Sequence, residues 1–357
     1  MGQPFTGTVA VTGLNATDNP GPGVAVARSL RNDPEFQGKI VGLAYDAMDP
    51  GLYMDGLLDA AYVIPYPSAG RQAMFDRLAY IQERTPIDVM LPNLDAELPA
   101  LMGQEAILEE LGIRTFLPSR DAYDARSKGR LDKLNEHGVP VPRSELLSEV
   151  APLYTVHERF GFPIVVKGVF YGAEVARSVD EAVKAFHKAA ATWGLPVILQ
   201  EYVEGEEVNV AAVGDGRGGL VGAVAMKKLM LTDKGKGWAG VTILDKGLMK
   251  LTQDIVGALQ WRGPCEIEVR KERGGAYHLM EVNPRMPAWI DLTQGAGQNL
   301  PLACARLAAG EDVGTLPAYR PGVAFIRISL DQIVDISQLE SIATRGEVLP
   351  AATERSA

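Results

Sequence analysis

The stretch from Trp261 to Arg285, WRGPCEIEVRKERGGAYHLMEVNPR, constrains this chain more than any other. It reads as two alternating strands joined by a Glu-Arg-Gly-Gly turn, so Glu266 and Glu268 share a face with Glu281 and Asn283. Side chains opposite or diagonal in an antiparallel pair lie within reach of one another, and carboxylates packed that closely repel unless compensated. Oxygen ligands on adjacent strands, with Arg285 two residues beyond the last, are what a Mg²⁺ ion bridging nucleotide phosphates needs. A solvated acidic hairpin face would show the same alternation, so the rest of the chain has to decide.

At 357 residues and 46% hydrophobic, the chain can bury a large core and divides into two or three domains. Its net charge of -10 argues against an electrostatic nucleic-acid binder. Cys265 and Cys304 are too few for a disulfide framework, which makes a reducing cytoplasm the expected setting. Neither a basic, apolar leader nor an 18-residue apolar segment occurs, so no membrane role is expected. Met1, Gly2 and Thr6 fit a loose myristoylation pattern, but the following residues run straight into a strand. His137, His157, His187 and His278 show no ligand spacing, and there is no internal repeat.

The first hundred residues alternate strand and helix as a parallel sheet does: TVAVTG from Thr8, a helical VAVARSLRN, KIVGLAYD, and later PIDVMLP. Gly21 and Gly23 supply two glycines of a dinucleotide fingerprint, and Asp46 could imitate its ribose-binding acid. Val26 stands where the third glycine should be, and the loop carries three Asx residues and two prolines that a pyrophosphate turn does not need. A dehydrogenase is thus a competing reading. The alternative treats Asn15 to Gly23, with Asp18, as a polar loop at the strand ends suited to a small polar substrate. Asn93, Asp95 and Glu97 reach the same edge, although Asp95 and Glu97 would equally complement a helix N-terminus.

Pro118-Ser119 opens a helical pattern, RDAYDARSKGRLDKLNEHG, that carries Lys128 and Lys133 and closes at Gly138. GFPIVVKG is a buried-looking strand ending in Lys167, where a charge is costly unless it meets an anion. A helical stretch around 180–191 and a strand follow. Glu201, Tyr202 and Val203 then form a linker whose backbone groups can hydrogen-bond an adenine rim, before a turn at Gly205.

These signatures, in this order, resemble the ATP-grasp superfamily across nearly the whole chain. The carbamoyl-phosphate-synthase-like and biotin-carboxylase-like branch is the most similar, on VPVP, GFPIVVK, QEYVEGEE, CEIEV and MEVNPR. The resemblance implies an α/β fold with a Rossmann-like N-terminal domain over residues 1–118, linker helices and a lid over 119–199 and a larger α+β C-terminal domain over 200–357. It implies ATP contacts from Lys128, Lys167, Glu201, Tyr202, Val203 and Glu207, the last on the ribose. It places Mg²⁺, with Mn²⁺ possible, on Glu268 rather than Glu266, and on Glu281 and Asn283. Arg285 would face the transferred phosphoryl group.

One departure stands out. Relatives follow the second lysine with a longer loop rich in Gly and Ser, whereas Lys167 runs into GVFYGAEVARS. Fewer backbone donors are then offered to the phosphates. TDKGKGWAGVT, from Thr232, is the candidate substitute. AMKKL, from Ala225, partly imitates a biotin attachment sequence but reads as an interior strand. By position Lys227 or Lys228 could reach the phosphates, and alternation admits only one; Lys228 is the assignment tested below. Trp289 and Asp291 follow Arg285 closely enough to line the acceptor side, with core packing the commoner role for a tryptophan.

The implied function is an ATP-dependent carboxylate–amine ligase: a carboxylate is activated as an acyl phosphate and captured by an amine. Bicarbonate activation through carboxyphosphate is the alternative within enzymology, and a nucleotide-binding scaffold with little turnover is the alternative outside it. Asn15, Asp18, Asp95, Glu97 and Asp291 are the substrate-site candidates. Partners are small molecules, and family habit implies a possible homodimer.

Overall fold

A computed structural model describes residues 3–16, 19–169, 172–233 and 235–349. Met1-Gly2, Asp18, Lys234 and the tail from residue 350 lie outside the described residues, as do the two aromatics Phe170 and Tyr171.

Three sheets organise the chain. In the first, β1 (Thr8–Val11), β2 (Lys39–Ala44), β3 (Ala60–Val63) and β4 (Val89–Leu91) run parallel in the order β3-β2-β1-β4. The C-terminal Glu347–Val348 pairs antiparallel with β3 at its edge. Val9, Ala10 and Val11 are all buried, with Val9 and Val11 in one core and Ala10 in another, as expected of a strand covered on both faces. β3 carries no strong period in sequence and was not anticipated.

The glycines of the first loop serve close packing. The helix Pro22–Arg31 starts so near the end of β1 that a Cβ on Gly23 would meet the Thr12 carbonyl oxygen at 2.0 Å. The N–H groups of Gly21 and Gly23 donate to the carbonyls of Asn15 (2.6 Å) and Gly13 (2.9 Å). Both are spent internally, which removes the pyrophosphate-binding reading of this loop.

The second sheet, β5 (Ser144–Leu147), β6 (Ile164–Lys167), β7 (Ala173–Ala176) and β8 (Val197–Glu201), is antiparallel in the order β5-β8-β6-β7. The helix Val179–Trp193 packs Ala182, Ala185 and Phe186 against it. The helix expected from Arg120 to Gly138 is broken: an α-helix covers Arg120–Ala125 and a 3₁₀ helix covers Leu131–His137, with Gly129 in the gap. Leu131, Leu134, Val139 and Val141 pack into the core of the third sheet, and the second sheet begins at Ser144.

The third sheet is antiparallel in the order β13-β12-β9-β10-β11-β14, built from β9 (Glu206–Asp215), β10 (Leu220–Leu231), β11 (Gly237–Thr242), β12 (Arg262–Lys271), β13 (Tyr277–Asn283) and β14 (Ala324–Ile326). The helix Lys246–Leu259 and the fully buried Trp261 pack on one of its faces. Val9, Val11 and Leu30 of the first domain share a core with Ala211, Val213, Met286, Trp289 and Ile290. The N-terminal sheet and the hairpin-bearing sheet are therefore packed as one body.

Candidate functional site

β12 and β13 pair with Glu268 opposite Glu281 and Glu266 opposite Asn283, a register reached through a β-bulge between Glu268 and Val269. On its other side β12 meets β9, which brings Asn209 opposite Glu268 and Glu207 opposite Arg270. Asn283 Nδ2 donates to Glu268 Oε1 at 3.1 Å and to Glu266 Oε2 at 3.4 Å.

The two β12 glutamates differ in their partners. Buried Glu266 accepts from Asn209 Nδ2 (3.0 Å), Trp289 Nε1 (2.8 Å) and Arg285 Nη1 (3.0 Å). Burial opposes its charge, yet the Arg285 guanidinium prevails and holds the carboxyl below its ordinary range. Glu268 lacks such a guanidinium: burial and then the Glu266 charge push its carboxyl up to about 7. Trp289 is thus both buried and a positioning donor, while the Cys265 thiol is pushed up by burial and inert.

Cations surround the carboxylates. Lys128 Nζ lies 3.3 Å from Glu281 Oε1. Lys167 Nζ donates to Gln200 Oε1 at 2.6 Å, and burial, reinforced by neighbouring Lys128, lowers it to about 8. Lys228 pairs with Glu207 and its side chain is 12% exposed, whereas Lys227 pairs with Glu206 at 2.9 Å and is 40% exposed. The strand therefore turns Lys228 toward the carboxylates; despite burial, Glu268 and Glu207 raise it above the usual lysine range. Arg285 joins Glu266 to Asp95, whose carboxylate lies 3.3 Å from Nε.

A cavity of ≈ 530 Å³ collects Lys128, Lys167, Glu268, Glu281, Asn283 and Arg285. Its apolar lining comes from Val165 and Val175 of the second sheet, from Val203 and from Met280, with Tyr202; its charged lining includes Lys128, Lys167, Arg270, Glu268, Glu281 and Arg285. Lys236, from the segment expected to replace the phosphate loop, also lines it, where the chain folds back through Thr232 N–H to Lys236 O at 2.8 Å. Val165, Val175, Arg270 and Met280 were not anticipated. Strand alternation from Lys167 and Glu268 would have pointed to Val165 and Arg270, two residues away on the same faces.

Several expected residues do other work. The Glu201 N–H is taken by the Arg143 carbonyl at 2.9 Å, so that group cannot serve an adenine rim. Glu207 lines the cavity but is already engaged by Lys228. Glu97 is buried and accepts from the hydroxyls of Thr12 and Tyr45 and from the N–H groups of Asn93 (2.6 Å) and Leu94 (2.9 Å). Its oxygens are spent on the loops at the sheet edge. Asp291 ties its helix to Ser29 (3.1 Å) and Arg28 (3.5 Å) and is not among the residues that line this cavity. Asp95 is committed to Arg285, and Asn15 belongs to a different cavity.

Among the described residues no group of three His, Cys, Asp or Glu side chains forms a self-sufficient metal cage. Two facing carboxylates and an amide do fit an ion that fills its shell with phosphate oxygens and water, as Mg²⁺ does. The buried Asn209 Oδ1, on the residue opposite Glu268, has no hydrogen-bond partner and is a further unsatisfied oxygen.

Residues 195–329 match the family model described as ATP-grasp in the biosynthetic pathway with Ter operon. A phosphoribosylamine–glycine ligase of Synechocystis sp. is 28% identical over 186 residues, 47% of this chain and 44% of that protein. A carbamoyl phosphate synthase large chain of Thermomicrobium roseum is 26% identical over 316 residues, 84% of this chain and 28% of that protein. This chain therefore spans less than half the length of either relative. The solved biotin carboxylase–β,γ-ATP complex from Campylobacter jejuni superposes with a TM-score of 0.68 at 16% identity, covering 89% of this chain and 74% of that one. The fold is that of the ATP-grasp proteins. Among the described residues, no helix is long and apolar enough to cross a membrane.

Proposed function

We propose that this ATP-grasp fold is an ATP-dependent carboxylate–amine ligase. The observation that carries the reading is the facing pair Glu268 and Glu281, set in one cavity with Lys128, Lys167 and Arg285 beside an apolar lining of nucleotide-compatible size. Val165, Val175, Val203 and Met280 would sandwich a flat base. Lys128 and Lys167 would meet phosphate oxygens, with Tyr202 and the linker backbone at the base edge. Glu268, Glu281 and Asn283 would hold Mg²⁺, which supplies charge neutralisation on the phosphoryl oxygens.

In the reaction, a substrate carboxylate oxygen bonds to the γ-phosphorus as the bond to the β–γ bridging oxygen breaks, giving an acyl phosphate and ADP. An amine nitrogen then bonds to the acyl carbon, phosphate leaves, and the nitrogen sheds a proton. Positioning and electrostatics suffice for the first step, so no protein nucleophile is required. Arg285 is fixed by Glu266 and Asp95 and stays cationic, since those carboxylates outweigh burial and raise it further. Lys228, held inward on β10, adds positive charge near the same carboxylates.

The relatives' names support a ligase that joins an amine to a small acid, and the two buried, unpaired cysteines suit a reducing compartment such as the cytoplasm. A second reading rests on the few residues between Lys167 and the strand that begins at Ala173, which leave little chain to cover phosphates. It makes the protein a nucleotide-holding regulator. Incubation with Mg-ATP and pooled amino acids, read by ADP release and mass detection of new amides, separates these. Amide formation supports the ligase, bicarbonate-dependent ADP release supports carboxyphosphate chemistry, and tight ATP binding without turnover supports the regulator.

A further inference from the structure

A second cavity, of ≈ 560 Å³, opens at the carboxyl edge of the N-terminal sheet and is lined by Asn15, Tyr45, Asp46, Asp49, Tyr66 and Leu94, among others. Among the described residues, its lining carries two carboxylates and no lysine, arginine or histidine. Tyr45 and Tyr66 stack with ring centroids 5.4 Å apart and planes inclined by 21°. The Tyr45 ring is held in place by its hydroxyl, which donates to buried Glu97 at 2.5 Å, while Tyr66 is 54% exposed and presents its free face. Asn15 Oδ1 is buried without a hydrogen-bond partner, but it packs against Gly21 and is closed to a ligand. Leu94 lines this cavity, and the next residue, Asp95, holds Arg285 of the first cavity, so one peptide bond joins the two sites.

We infer that this cavity binds an organic ammonium ion with a flat or apolar body. Two carboxylates without a counter-cation favour a positive ligand, and aromatic faces attract cations and cover apolar groups at the same time. Burial, which disfavours the Asp49 carboxylate, makes a neighbouring cation more welcome. That this ammonium belongs to the amine substrate rests on the ligase reading. The cavity's preference for cations does not.

Calorimetric titration of the full chain at neutral pH, without ATP, uses phenethylammonium, its neutral isostere 2-phenylethanol and the anion phenylacetate. Phenethylammonium binds, 2-phenylethanol binds more weakly, and phenylacetate does not bind. Asp46→Asn and Tyr66→Ala each weaken phenethylammonium by about tenfold and leave ATP affinity unchanged. Both residues are exposed, so two independent variants test the same pocket without burdening the fold. Absence of phenethylammonium binding, binding of phenylacetate at least as tight, or wild-type affinity in both variants overturns the inference. Amide synthesis is scored separately. Cation binding that the variants abolish, with no amide formed from any amine, removes the ligase reading and leaves the cation site standing; amide synthesis with no cation binding here does the reverse.

Discussion

Arg285, two residues beyond the hairpin, reaches the N-terminal sheet: its Nε lies 3.3 Å from Asp95 while its Nη1 lies 3.0 Å from Glu266. One guanidinium thus spans the two domains and the acidic strand, and it is held rigid before any ligand arrives. Preorganised charge of this kind is worth most in a buried site, because no reorganisation is needed during reaction.

Replacing Arg285 by alanine should lower kcat for ADP formation by about 10²–10³. Asp95→Asn keeps the guanidinium but loosens it, and should cost about tenfold or less. Steady-state kinetics on both variants checks this ordering, and equal losses would deny Arg285 a direct role.

Lys167 is lowered to about 8 by burial and by Lys128. ATP phosphates favour the protonated amine, so ATP affinity should fall as pH rises through about 8, and binding at pH 8–9 should take up a proton. Calorimetry in buffers of different ionisation enthalpy measures that uptake. Lys167→Arg should flatten the profile, since arginine stays charged. A wild-type affinity independent of pH from 7 to 9 would place Lys167 away from the phosphates.

Glu97 offers acceptors to Thr12, Tyr45, Asn93 and Leu94 from a fully buried position. Glu97→Ala strands these donors and opens a void, and should destabilise the protein by about 3 kcal/mol or more. Urea unfolding reads the change. A loss of turnover at unchanged stability would return Glu97 to the substrate site.

Asp245 caps the helix Lys246–Leu259, accepting from Leu248 N–H at 3.0 Å, and also meets Lys271 (2.6 Å) and Tyr277 (2.5 Å). Against its burial, those hydrogen bonds hold the carboxyl down to about 2. A folded value below the unfolded one gives stability that is present above about pH 4 and lost as pH falls toward 2. Asp245→Asn retains a capping oxygen but not the charge. Its deficit in urea midpoint should be largest at neutral pH and shrink below pH 4; a constant deficit would contradict the linkage.

The hairpin was legible as two alternating strands around a Gly-Gly turn, but its register was not: counted from the turn, Glu268 would face Met280, and the bulge between Glu268 and Val269 is what brings Glu281 opposite it. Lys227 and Lys228 were not separable, since the choice of face needs the pairing of β10 with its neighbours. Gly21 and Gly23 looked like phosphate binders because helix–strand contact and pyrophosphate contact both demand a missing Cβ; the distance to the Thr12 carbonyl settles which applies. Asp95 and Asp291 join the N-terminal region to the segment after β13, whereas Glu97 is engaged entirely within the N-terminal region. Their partners Arg285, Tyr45 and Ser29 lie 190, 52 and 262 residues away in sequence, and no local pattern reports such pairings. Met280 escaped notice because an apolar residue beside Glu281 reads as core until the cavity is seen.

The most direct measurement follows oxygen. Amino acids labelled with ¹⁸O in the carboxyl group are pooled, incubated with Mg-ATP, and the released phosphate is weighed. Passage through an acyl phosphate at the Glu268–Glu281 site predicts one labelled oxygen in each phosphate released, accompanied by ADP and a new amide. Unlabelled phosphate, with ADP formed at the same rate when the amino acids are omitted, would show that water takes the phosphoryl group and would contradict carboxylate activation.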